Sequence, residues 1–261
     1  MMMMACLAAY SQPKAYETQI NYQKNRQAAT VMELPYPPDV VETSIKDYMA
    51  GKGYKGSGSR GYTVFRNVRL DDGSAQLNDV HVRVDRKSRK EKNSSVVTLL
   101  TAGPNEDPAT RTGADTLAMS RTASFLEKMA PFIESGDLED RIKTQGGYTK
   151  KSQNKLADLR DDQVSLEKKI REGIRDLEEN KKDQVKETKD MQDAVRSNDP
   201  AATKKSHKRM DRLLDDQTSL QKKLQKNQAA LEQNKRDQEA QQTGVMQQQQ
   251  MLDSLKGMRK N

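Results

Sequence analysis

Reactive chemistry in this 261-residue chain would have to come from two histidines, one cysteine and a few acidic pairs. His81 stands in an alternating segment and His207 in a Lys-rich one. Neither has a second His or a Cys at the spacing that a tetrahedral zinc requires. Cys6 is the only thiol, and no Ser sits in a nucleophile-elbow motif. Asp161-Asp162 and Asp215-Asp216 are adjacent pairs. On a helix, neighbours at i,i+1 point apart, so neither pair makes a carboxylate dyad and both read as solvated surface. The sequence therefore predicts a non-enzymatic protein with no catalytic residue, no cofactor and no metal.

Two segments could hold an anion. GKGYKGSGSRG (Gly51 to Gly61) is rich in glycine and carries Lys52, Lys55 and Arg60. No GK[ST] closes it, and it runs from a helix into a strand, the reverse of a phosphate loop. It is expected to be a flexible, solubilising connector. The stronger candidate is Arg83, Arg86, Lys87, Arg89, Lys90 and Lys92, six cations around one hairpin. Such a cluster could meet phosphate, a lipid headgroup or an acidic polymer. No aromatic residue interleaves it, so stacking on nucleic-acid bases is not expected and sequence-specific nucleic-acid binding is disfavoured. The competing reading is a charged turn that blunts a sheet edge.

The elements that must position these residues follow from periodicity. Ala29 to Leu34 predicts a strand, stopped by Pro35-Tyr36-Pro37-Pro38. Proline suits a first helical turn, Asp39 and Glu42 suit its positive end, and Val41, Ile45, Tyr48 and Met49 recur at helical spacing. Gly51 and Gly53 end that helix. Tyr62, Val64, Val68 and Leu70 alternate, as do Val80, Val82 and Val84, which puts His81, Arg83 and Asp85 on an opposite, wet face. Val96 to Leu100 gives a further short strand, and Ala118, Thr122, Phe125, Met129 and Phe132 a second amphipathic helix. The prediction is an α+β domain over residues 26–136, of two layers, in the order strand, helix, three strands, helix.

Composition then changes along the chain. All eleven aromatic residues lie at or before Tyr148, and Pro200 is the one proline beyond that point. Apolar residues make up 33% overall, below the roughly 45–50% of ordinary globular domains, so one single compact core is not expected. Residues 1–113 carry 16 Lys/Arg and 12 Asp/Glu, and residues 114–261 carry 30 and 26, so each part is +4. The boundary is expected near Gly146-Gly147. Interleaved charge beyond it suits a solvated helix better than a nucleic-acid arm.

That second part contains an internal repeat. Residues 155–184 and 209–238 are identical at 14 of 30 positions at an offset of 54. Both copies carry an apolar seam at alternating spacings of three and four, Leu156 to Gln184 and Met210 to Gln238, interrupted by amides. Between them Ser197-Asn198-Asp199-Pro200 reads as a turn with Asp199 capping a helix that starts at Pro200. Seam residues pair with numbers that sum to 397, Gln163 with Asn234, Leu166 with Leu231, Leu177 with Leu220 and Asn180 with Gln217. Residues 148–257 are therefore predicted to fold as a long antiparallel α-helical coiled-coil hairpin turning at 197–200, through which an oligomer is possible.

The first eleven residues, MMMMACLAAYS, are apolar and small, with Ala9 and Ser11 at −3 and −1 of a cut before Gln12. They read as the remnant of a signal peptide that lacks its basic start. Cys6 would be lost at that cut, or lipidated in the lesser alternative. No apolar run approaches the roughly 20 residues of a membrane-spanning helix.

The stretch ELPYPPDVVETSIKDYM (Glu33 to Met49), then Gly61-Tyr62 with Val64-Phe65, then RVDRKSRKEK (Arg83 to Lys92) and a Lys/Gln-rich helical tail resembles an uncharacterised family of exported bacterial proteins of the Bacteroidota type. The resemblance spans most of the chain and implies export; it brings no activity, cofactor or site residue. The expectation is an exported, periplasmic or extracellular, non-enzymatic cell-envelope protein. Its domain would bind or anchor to an unknown protein or envelope component, and its coiled coil would serve as spacer or docking element. The alternative is a binder of an anionic polymer or lipid surface through residues 83–92.

Overall fold

The computed structural model describes residues 13–259 except 72, 74 and 111–115. The expected signal-peptide remnant, the cut before Gln12, Cys6 and the side chain of Ala118 lie outside the described residues. The protein is of mixed α and β structure and divides into two units, one reaching Lys143 with Gly257 onward, the other Thr144–Lys256.

The first unit holds six strands, β1 (Ala15–Tyr22), β2 (Asn25–Leu34), β3 (Gly56–Ser59), β4 (Tyr62–Val68), β5 (Asn78–Arg86) and β6 (Ser95–Ala102). They form one sheet in the order β1-β2-β6-β5-β4-β3, with every pair antiparallel. Helix α1 (Pro38–Gly51) follows β2, and helix α2 (Thr116–Arg196) follows β6. Met32, Val97, Leu99, Val80, Val82 and Phe65 share one sheet face. They pack in one cluster with Val41, Ile45 and Met49 of α1 and Phe125, Leu126, Met129 and Ile133 of α2. Burying each such side chain contributes roughly 1.5–3 kcal/mol. Gly136 of α2 leaves room for α1, since a Cβ there would collide with Ser44 Oγ. Phe132, expected on the apolar stripe, is largely exposed and meets the Tyr48 ring edge-on at 5.6 Å.

Two strands go beyond the predicted order of strand, helix, three strands, helix. Strand β1 lies before the expected start at residue 26, with Tyr16, Thr18, Ile20 and Tyr22 on one face. As an edge strand it buries fully only Tyr22, so its apolar signal is thin. Strand β3 falls inside the segment expected to be a flexible connector and is fully exposed Gly-Ser-Gly-Ser. Its pairing is set by the turn: Arg60 at φ 51° and Gly61 at φ 81° give the two successive left-handed residues of a type I′ hairpin. At Gly56 a Cβ would come within 2.8 Å of Thr63 Cγ2, so only glycine lies flat there.

Helix α2 runs through Gly146 and Gly147 without a break, close to where the two units divide at Lys143 and Thr144. Two glycines cost about 2 kcal/mol together against alanine. Packing of the second unit offsets this locally, since Gln145 Nε2 donates to Gln248 O at 3.1 Å and Thr149 is buried.

In the second unit α2 is followed by helix α3 (Pro200–Met258). The turn between them has Asn198 at φ 56°, and Asp199 Oδ1 accepts from the Ala201 and Ala202 amides at 3.0 Å. Cross-helix hydrogen bonds pair falling numbers in α2 with rising numbers in α3. Asn180 Nδ2 donates to Leu213 O at 3.1 Å, and Asn234 Nδ2 to Leu159 O at 3.0 Å. Gln184 Nε2 donates to Gln217 Oε1 at 3.0 Å and to Asn180 Oδ1 at 2.6 Å. Gln238 Nε2 makes the equivalent bonds to Gln163 Oε1 at 2.8 Å and Asn234 Oδ1 at 2.7 Å. Every residue of one cluster lies 54 positions from its counterpart in the other. The repeat is thus expressed as two equivalent amide clusters, each of three side chains rather than the two that pairing by number suggested.

Candidate functional site

The six candidate cations fall around the β5–β6 connection. Arg86 pairs with Ser95 at the last rung, the Lys87 amide donates to Ser94 O at 3.0 Å, and the Glu91 amide to Ser88 Oγ at 3.2 Å. The loop is pinned at its base and turned by a serine. Its cations divide into two groups.

Arg83 and Lys87 are engaged by the domain itself. Arg83 Nε lies 2.6 Å from Asp85 Oδ2, and its guanidinium rests over the Tyr62 ring at 5.1 Å. Lys87 Nζ lies 2.7 Å from Glu33 Oε2, and this hydrogen bond holds its ammonium above the ordinary lysine range. Arg86, Arg89, Lys90 and Lys92 are exposed and form no ion pair among the described residues. The free positive surface is therefore those four, with Glu91 as the one carboxylate within the loop. Two of the three cations in the Gly51–Gly61 segment are engaged elsewhere in the domain. Arg60 Nη1 is 2.8 Å from Asp107 Oδ2, and Lys52 lies over the Tyr48 ring at 5.4 Å.

His81, expected on a wet face, is buried. It lies in a second small cluster on the other sheet face, where Tyr22, Ala29, Tyr62 and Leu100 pack together. The His81 ring meets Tyr22 and Tyr62 edge-on at 6.4 and 6.5 Å. Burial pushes its imidazole below the ordinary histidine range, against the opposing charge of Asp79, and lifts the Tyr62 phenol above its own. Among the described residues, His81 Nδ1 and Tyr62 Oη are buried without a hydrogen-bond partner. A 3₁₀ turn at Pro108–Thr110 contributes Ala109 to the cover of this face. Asp107 anchors that turn by accepting from the Ala109 amide, Gln23 Nε2 and Arg60 Nη1 at 3.0, 3.0 and 2.8 Å. Strict alternation places His81 on this face correctly but says nothing of the two tyrosines, distant in sequence, that cover it.

Sequence reasoning also passed over Asp79. Its carboxylate is buried and accepts from Arg66 Nη1, the Asn67 amide and the Asn105 amide at 2.9, 3.0 and 2.9 Å. Asn67 and Asn105 have φ of 54° and 61°, and the β4–β5 register shifts between Phe65 and Val68. Asp79 therefore fixes a bulge and a neighbouring loop; its oxygens are spent on the fold. Among the described residues no three His, Cys, Asp or Glu are grouped to hold a metal, and no helix is long and apolar enough to cross a membrane.

No known protein family matches the chain, and no curated protein matches it. Among solved structures it is similar to the crystal structure of CalU16 from Micromonospora echinospora, at 11% identity and a TM-score of 0.21, over 49% of this chain and 94% of that one. A likeness of that extent carries no functional argument.

Proposed function

We propose that this is an exported, non-enzymatic protein of the cell envelope, with a sheet domain that binds or anchors and a coiled-coil hairpin, residues 148–257, that serves as spacer or docking element. The observation that carries the hairpin is the pair of equivalent amide clusters joining α2 to α3. Buried amides at seam positions weaken a coil but fix its register, a feature of use where a helix pair must present one defined surface. Arms of about 45 residues would extend roughly 70 Å at 1.5 Å per residue. Export is supported by the small residues before Gln12. N-terminal sequencing of the native protein is expected to find a mature chain starting at Gln12. Residues 1–11 intact on a cytosolic pool would overturn the export reading.

A second reading is favoured by one observation, the four exposed cations left without ion pairs at the β5–β6 loop. In this reading the loop binds an anionic polymer or lipid headgroups. Replacing Arg86, Arg89, Lys90 and Lys92 by Gln is expected to abolish salt-sensitive retention on a heparin or anionic-lipid matrix. Each phosphate that is no longer neutralised lowers the salt slope by about one for a duplex-like polyanion. The melting temperature should stay nearly unchanged, because none of the four is buried. Retention equal to that of the wild type would leave the loop as a charged turn.

A further inference from the structure

We infer that the outer face of α2 in the second unit is a self-association surface that takes a second copy of this chain in antiparallel, twofold-symmetric packing. Among the described residues between Lys150 and Arg196, the large apolar side chains of α2 that stay exposed are Val164, Ile174, Val185 and Val195, at 63, 43, 72 and 59%. Their spacings are 10, 11 and 10, three turns of a helix held at 3.5 residues per turn. The buried seam residues Leu156, Asn180, Glu187 and Ala194 follow that same heptad, so these four lie on one stripe beside the seam. Over residues 150–196 the corresponding stripe on the opposite flank carries no large apolar residue and is mostly acidic, with Asp158, Asp162, Glu172, Asp176, Glu179 and Asp183.

The stripe is a palindrome. The numbers of Val164 and Val195 sum to 359, as do those of Ile174 and Val185. A twofold axis between residues 179 and 180 of two antiparallel helices therefore sets Val164 on Val195 and Ile174 on Val185, each twice. Isologous contacts of this kind require the patch to be complementary to itself. The polar positions of the stripe meet that requirement. Glu178 falls opposite Lys181 on both sides of the axis, Glu167 opposite Gln192 and Arg171 opposite Thr188. No like-charged pair arises. Glu178 and Lys181 are exposed and form no ion pair within the chain among the described residues, so their charges are available to the second copy. A parallel arrangement would set each charge against its own kind. The stripe is about 46 Å long with one apolar contact every three turns, which fits a weak, reversible dimer.

Sedimentation velocity of the full chain over a concentration series is the test. A concentration-dependent dimer is expected. Glu178→Lys or Lys181→Glu alone should each weaken it roughly tenfold, since each creates two like-charged contacts. The double variant Glu178→Lys with Lys181→Glu should restore it, which also excludes loss of folding as the cause. In a Cys6→Ser background, chains carrying Ile174→Cys should oxidise to chains carrying Val185→Cys but not to one another. A monomer at every concentration, single reversals without effect, or Ile174→Cys linking to itself would each overturn the proposal.

Discussion

Replacing Asp79 by alanine is expected to destabilise the sheet domain by about 3 kcal/mol, the largest single effect anticipated for a polar residue in this protein. The carboxylate is nearly inaccessible, and two of its three donors are the backbone amides of Asn67 and Asn105. Both amides belong to residues held at positive φ. Alanine would remove the acceptor of both part-buried bonds, at about 1–3 kcal/mol for each amide that water does not reach. Arg66 differs because its side chain is 57% exposed and can be rehydrated. Arg66→Ala should therefore cost less than about 1 kcal/mol. Asn at 79 keeps one acceptor oxygen but loses the charge, and should fall between the two. Near-ultraviolet circular dichroism during heating reports mainly on the domain, because every aromatic residue except Tyr148 lies before Thr144. For a domain of this size the alanine variant should lose roughly 10 °C. Equal losses for Arg66→Ala and Asp79→Ala would show that the ion pair, rather than the caged amides, carries the stabilisation.

Asp79 also shows where sequence is silent. Alternation reports which face a side chain takes, so Val80, Val82 and Val84 were readable from period two alone, and the strand at 29–34 from a short apolar run stopped by Pro35. The helix at 38–51 was readable from its prolines, its apolar spacing and Gly53, which indeed sits at φ 86°. A lone buried carboxylate has no period, and its donors come from residues 12 and 26 positions away. His81 fails differently. Its face was right and its environment wrong, because Tyr22 and Tyr62 reach it from two other strands. Strand β3 has no apolar side chain from which a pattern could be read, and is defined by the turn at Arg60-Gly61. In the basic cluster the sequence supplied the charges. Asp85 lies two residues from Arg83 on the same strand and face, but Glu33 reaches Lys87 from another strand, so only the fold separates Lys87 from the four free cations.

The second large expected effect concerns the register of α2 against α3. In a Cys6→Ser background, Leu166→Cys with Leu231→Cys should oxidise to an intramolecular disulfide at high dilution, while Leu166→Cys with Leu213→Cys should not. Cross-helix hydrogen bonds whose residue numbers sum to 393 and 401 bracket 397, the value that pairs 166 with 231. A Cβ at Gly173 would lie 3.7 Å from Leu224 Cδ1, a pair at 397 itself. Slipping by one heptad either way would set Asn234 against Leu156 or Ile170, and Asn180 against Met210 or Leu224. Each amide cluster would lose its cross-helix bonds and leave polar groups against apolar side chains. At about 1 kcal/mol per bond and more for each unsatisfied group, two clusters disfavour the slip by several kcal/mol. The leucines between the clusters do this less well, because a slip to the sum 390 sets Leu166 on Leu224 and Leu177 on Leu213, exchanging one leucine pair for another. Replacing Asn180, Gln184, Gln217, Gln163, Asn234 and Gln238 by leucine should therefore raise the melting temperature of the helix pair and at the same time admit slipped crosslinks. Crosslinks formed only between chains would refute the fold-back while keeping the pairing, and equal oxidation of both cysteine pairs in the otherwise native sequence would refute the register.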